Sequence, residues 1–248
     1  MADMFCTCSR QEAKREGVLS RWEESHQANI RCAHDIDSLI SSRTKDGTLE
    51  PDCAGEALER WGFLRVQYVL SNTLIKTGGL GFEPNSLRWA RSIFVPYDKD
   101  NGAFKVQAEK SLLAQFVQQT YAEYQALGMF GAEHCQAGSL DYRGKVLILR
   151  PDVLKEEYWS APNQLWLGEG GFGCSPTSSG RAVYATCLGD GEKTRWNRSD
   201  FLGVLDEQYL PNWAQEKLAE LRGPDQKETD SPDQEQADSP AQGGMEMR

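Results

Sequence analysis

Between Gln27 and Arg43 the apolar residues Ile30, Ala33, Ile36 and Ile40 recur at intervals of three and four, with Arg31, Asp35 and Ser38 between them. That spacing lines one face of an α-helix and predicts one over this stretch. Lys45-Asp46-Gly47 breaks the pattern, and Pro51 supplies the fixed φ of a first helical turn. Gly62 follows Trp61 as the residue past that helix's end. Phe63 to Ile75 is apolar almost all round, with Leu64, Tyr68, Ser71 and Ile75 on one side and Val66, Val69, Leu70 and Leu74 elsewhere. It predicts the buried central helix of this half. Gly78-Gly79-Leu80-Gly81 reads as a loop, and Pro84 opens a short helix carrying Leu87 and Trp89. A strand is expected at Ser92–Pro96 and a turn at Asp100-Asn101-Gly102. Ser111 then caps a long helix whose stripe is Leu113, Phe116, Val117, Thr120, Tyr124 and Leu127, ended by Gly128.

From Gly144 the pattern changes period. KVLILR (145–150) and NQLWL (163–167) are short apolar runs of strand length. RAVYATCL (181–188) joins EKTRWNR (192–198) through Gly189-Asp190-Gly191, which is hairpin turn chemistry. A last helix is expected over Pro211–Leu221, packing through Leu218 and Leu221. The segment 223–248 has no aromatic and no β-branched aliphatic residue, so it lacks the apolar surface to offset the entropy of ordering. The expected fold class is α+β, with a helical N-terminal half, a small β-rich C-terminal half and a disordered acidic tail. The regions are 1–128, mainly helical, 144–222, β-rich with a terminal helix, and 223–248, the tail. The junction falls in the glycine-containing stretch 128–144.

The chain's 248 residues carry a formal charge of −10. Residues 223–248 hold seven acidic and two basic side chains, so half of that charge sits in the tail. The body is therefore only mildly acidic, which argues against both an acidic DNA mimic and indiscriminate nucleic-acid binding. With no long apolar run and no basic-then-apolar leader, no membrane contact is expected and the expected location is cytoplasmic. The odd number of scattered cysteines, seven, reads as reduced thiols without a disulfide framework.

Several groups of residues resemble chemical motifs. GEGGFG (168–173) matches the dinucleotide pattern G-x-G-x-x-G, but Pro176 and Gly180 argue against the helix that pattern requires, leaving a glycine loop between strands. Cys174 follows the loop, and His134 and His26 exist, but no spacing fixes a base beside the thiol. Cys6-x-Cys8, Cys32-Ala33-His34 and His134-Cys135 lack the paired spacing of a zinc site, so neither a metal nor a cofactor is expected. The most distinctive chemistry is Arg181, Arg195, Trp196, Asn197 and Arg198, where arginine forks beside an aromatic suit a phosphate, a carboxylate or a stacked base. Against this, strand alternation puts Arg195 and Arg198 on opposite faces, where each can pair with Asp190, Glu192 or Asp200.

SHQANIRCAHDIDSLI (25–40), RVQYVLSNTL (65–74), NSLRWARSIFVPYD (85–98), the long stretch 163–205 and LPNWAQEKL (210–218) together resemble an uncharacterised domain family. That family is found in gut Firmicutes, commonly on conjugative and integrative mobile elements. The resemblance implies an accessory role and brings no catalytic residue. Two readings follow. One is a non-enzymatic binding protein of a mobile element whose partner is a protein of a host defence system (CRISPR or restriction) or of the element itself. The other is a small-molecule or nucleotide-binding enzyme using the Gly168–Cys174 loop. Its pocket would hold Gly170, Gly171, Cys174, Ser175, Arg181, Arg195, Trp196, Asn197 and Arg198. Convergence of those side chains in one cavity separates the two.

Overall fold

The computed structural model describes residues 5–77 and 81–222. The expected tail lies outside them, as does most of the loop at 78–81. The first half is helical: α1 Arg10–Arg15, α2 Leu19–Ser42, α3 Cys53–Trp61, α4 Phe63–Thr77, α5 Pro84–Ala90 and α6 Lys110–Ala126. A small hairpin, β1 Thr44–Lys45 and β2 Thr48–Leu49, lies between α2 and α3. Its two-residue turn, Asp46-Gly47, has both residues at positive φ, as a twist-matched tight turn requires.

α2 starts eight residues earlier than its apolar period suggests, because Trp22, Ser25 and Asn29 extend the buried face and two of these are polar. α4 is the central helix, with Val66, Val69, Leu70 and Leu74 fully buried. Its buried polar residues are used internally: Asn72 donates to Asn101 O (2.8 Å) and Phe104 O (3.1 Å), and Gln67 donates to Trp89 O (2.7 Å). Two expectations fail nearby. Residues 92–96 form no strand, since side chains take their carbonyls, Ser71 bonding Ile93 O and Asn101 bonding Pro96 O. Glu109, not Ser111, precedes α6, and the Ser111 hydroxyl turns back to the Glu109 carboxylate (3.0 Å).

The second half is a five-stranded antiparallel sheet. Its strands are β3 Val146–Leu149, β4 Leu165–Gly170, β5 Ala182–Cys187, β6 Lys193–Asn197 and β7 Phe201–Val204, in the order β6-β5-β4-β3-β7. A one-turn helix, α7 Ala161–Gln164, leads into β4, and α8 Asn212–Arg222 closes the fold. β3 is buried at all four residues because both faces of the sheet centre are covered. Leu147 and Leu149 face Trp166, Val183 and Phe201. Val146 and Ile148 face Leu165, Ala214 and Leu218. Leu221, expected to pack, is partly exposed. The fold is thus α+β, as the patterning indicates.

Gln164, fully buried, ties the halves together. It donates to Phe130 O (2.7 Å), Leu149 O (3.0 Å) and the Tyr124 hydroxyl (3.3 Å), and accepts from Phe130 N (2.7 Å). Trp159 packs beside it against Phe63 of α4 and Tyr124 of α6.

Candidate functional site

The glycine sequence does not open a helix. β4 runs on to Gly170, its pairing with β5 slips between Gly168 and Gly170, and a single 3-10 turn at Phe172–Cys174 follows. Without a helix start there is no row of free N–H groups for a pyrophosphate. The glycines serve close backbone packing instead. A Cβ on Gly168 would lie 2.2 Å from Tyr142 O, one on Gly171 2.3 Å from Ala182 O, and one on Gly173 2.3 Å from Arg181 O. Gly171 also has φ +100°, which side-chain-bearing residues avoid. The loop is filled by the protein's own backbone.

Cys174 is buried behind this loop, its thiol donating to Gly170 O at 3.0 Å. Burial pushes the thiol up, and the charged groups acting on it are Asp141, Arg143 and Arg198. Neither histidine serves it: His26 stacks on Trp22, and His134 accepts from Gly131 N while packing on Phe130 and Tyr209. Ser175 lies within 3.1 Å of the Thr177 hydroxyl. Among the described residues no group of three or more His, Cys, Asp or Glu side chains is arranged to hold a metal ion.

Arg198 is committed to the fold. Its guanidinium donates to Gly173 O (2.8 Å), Cys174 O (2.7 Å) and Leu140 O (2.7 Å), and its centre lies 3.8 Å from the Tyr142 ring centroid. This rigid fork stitches the corner after β6 to the glycine loop. The pairing with acidic neighbours expected for the two arginines is not found: Arg198 bonds carbonyls, and Arg195 has no ion pair among the described residues. Asp200 instead accepts from Asn197 N (2.7 Å), while the Asn197 side chain caps Ser199. Trp196 turns inward, edge-on to Trp166 with ring centroids 5.1 Å apart.

The candidate residues therefore separate into an inner set, Cys174, Trp196 and Arg198, and an outer set, Arg181, Arg195 and Asn197. An open cavity of about 920 Å³ lies elsewhere, between α8 and the ends of β3 and β7, lined by Val146, Val204, Leu218 and Arg222 among others, and holds none of them.

What the outer set borders is a free sheet edge. Cys187 N bonds Glu192 O and Arg198 N bonds Arg181 O, which fixes the phase of the β5–β6 ladder. Thr194 and Trp196 therefore bond inward, and the N–H and C=O of Lys193 and Arg195 point away from the sheet. On the same face as the Arg195 side chain, its register partner Tyr184 is 52 % exposed. Phe172, in the turn after β4, is 80 % exposed. One row along, Glu169 accepts from Thr186 (2.7 Å) and pairs with Lys193 (3.2 Å). That hydroxyl bond and the lysine hold the Glu169 carboxyl below its ordinary range. The opposite edge is not free in this way, because Gln136 N bonds Val204 O and Cys135 bridges to Leu205 beside β7. Phe172 and Tyr184 were not among the sequence candidates. The signal for Tyr184 was its place between the inward-facing Val183 and Ala185.

A family model described as a protein of unknown function (DUF3849) matches residues 6–125, just under half of the chain. A domain of that uncharacterised family thus covers the helical half into α6. No curated protein and no solved structure matches the chain. Among the described residues no helix is long and apolar enough to cross a membrane.

Proposed function

We propose that this chain is a binding protein whose contact surface is the free edge and open face of β5 and β6, and that it receives an extended, acidic segment of a partner protein as an added strand. The observation that carries the reading is the outward N–H and C=O of Lys193 and Arg195, beside exposed Phe172 and Tyr184. Strand addition draws affinity from such main-chain groups and specificity from alternate side chains. Arg195, on this edge, has no carboxylate partner among the described residues, so an acidic segment complements it. The commitment of Cys174, Trp196 and Arg198 to internal packing weighs against a catalytic pocket there. The family resemblance read from the sequence supplies the setting within this proposal: a bacterial mobile element, with a host-defence or element-encoded protein as the partner.

The test is affinity capture from a bacterial host with wild-type protein and with a Tyr184→Ser/Arg195→Glu double variant. Dissociation constants are then measured for any protein retained in stoichiometric amount. The expected result is a loss of tenfold or more in affinity, corresponding to about 1.4 kcal/mol, with an unchanged melting temperature. Equal affinity for both forms would refute the assignment of the surface.

A further inference from the structure

The residues just before α1 form a strap across the helical core. Phe5 lies edge-on to Tyr68 with ring centroids 5.3 Å apart, and the Arg65 guanidinium sits 5.3 Å from the Phe5 ring. Cys6 N donates to the Ser25 hydroxyl at 3.0 Å, and the Trp22 indole donates to Cys8 O at 3.1 Å. Ser9 then forms a reciprocal cap with Glu12, and Arg10 N donates to Asp98 at 3.0 Å. The tripeptide Cys6-Thr7-Cys8 is thus fixed on both sides by contacts that do not involve its sulfurs. Within it Thr7 faces solvent, both cysteines are half-buried, and their Sγ atoms lie 3.0 Å apart. Among the described residues the remaining five cysteines are free, with no such sulfur neighbour.

We propose that Cys6 and Cys8 form a reversible dithiol–disulfide couple that exchanges with low-molecular-weight disulfides of the glutathione type. The loop to be closed spans three residues and the strap already holds its ends together, so little ordering entropy is left to lose on closure. A bond closing so short a loop near the surface belongs with the labile, readily reduced disulfides.

Burial and the neighbouring Cys6 push the Cys8 thiol up. Either cysteine can open the exchange, and the steps are the same in kind. When Cys6 does so, its thiolate attacks one sulfur of the small disulfide. The original S–S bond breaks, one small thiolate leaves, and a mixed disulfide forms on Cys6. Cys8 then gives its proton to solvent and attacks the Cys6 sulfur, releasing the second small thiolate. Overall the two cysteines lose two electrons and two protons, and the small disulfide becomes two thiols. Because each attack needs a thiolate, the rate rises with pH.

Trypsin provides a clean readout, since the peptide ending at Arg10, MADMFCTCSR, contains these two cysteines and no others. The full chain is equilibrated in glutathione redox buffers at about pH 7 and about pH 9, quenched in acid, denatured, alkylated and digested. As the buffer becomes oxidising, the peptide should lose both alkyl labels and two hydrogens, carry no glutathione, and regain both labels after dithiothreitol. Oxidation should be faster at the higher pH. Cys6→Ser should leave one glutathione on Cys8, and Cys8→Ser one on Cys6. A peptide that keeps both labels at both pH values, or one from the unmutated chain that accumulates glutathione adducts, would overturn the proposal.

Discussion

The helical half and the β5–β6 edge dispose of their polar groups in opposite ways. In the helical half, polar side chains are spent on the fold. Asp37 accepts from Gln107 N and Ala108 N to dock the segment before α6 onto α2, and Gln119 bonds Ala54 N and Glu50 O to hold the start of α3. At the β5–β6 edge, two backbone positions face outward, the Arg195 side chain has no ion pair among the described residues, and the rings of Tyr184 and Phe172 are largely exposed. Buried polar groups that are satisfied contribute to a unique structure, and exposed ones that are not are available to something else. The lesson is contained in two arginines three residues apart. Arg198 has three carbonyls and a ring, while Arg195 has solvent.

The contrast breaks most severely at the core of the helical half. Leu70 is fully buried in α4, and Leu70→Asp places an unpaired charge there, which should cost about 4–5 kcal/mol or more. Helical circular dichroism should collapse at temperatures where wild type is folded. A smaller but sharp effect is expected at the junction, where Gln164→Leu strands the Leu149 carbonyl and the N–H of Phe130, while the Tyr124 hydroxyl still serves the Phe130 carbonyl. Urea unfolding should report a loss of about 2–4 kcal/mol.

The two arginines give the finer comparison. Arg198→Met should lose about 2–3 kcal/mol, with little rescue by Arg198→Lys because an ammonium cannot reproduce the fork. Arg195→Ala should change stability by no more than about 0.5 kcal/mol. Equal losses at both would erase the distinction between an internal and an outward arginine. The smallest effect is expected from deleting 223–248, which should move the melting temperature by no more than about 2 °C. A larger fall would mean that the tail contributes to the fold.

What the sequence reveals here depends on how local the cause is. The helix α4, the strand runs in β3 to β5 and the hairpin at 188–192 are dictated by neighbours in sequence, and all are found. The opposite faces of Arg195 and Trp196 follow from strand alternation alone. β7 was not expected, because Phe201–Val204 is four residues long and includes a glycine, and its pairing with β3 is a tertiary choice. The expected strand at 92–96 fails for a related reason, since its carbonyls are taken by Ser71 and Asn101 from other elements. The destination of Arg198 could not be read either, because residues 140, 173 and 174 meet it only once the glycine loop has folded back. For the same reason the cysteine spacing at 6 and 8 is visible in the sequence, but the anchors that bring the two sulfurs together are not.

Residue-resolved amide hydrogen exchange along β6 in the free protein tests the central claim most directly. The N–H groups of Thr194, Trp196 and Arg198 should be strongly protected by β5, and those of Lys193 and Arg195 should exchange at nearly the rate of an unstructured chain. Uniform protection of all five would contradict the account, because it would mean that the edge is already paired.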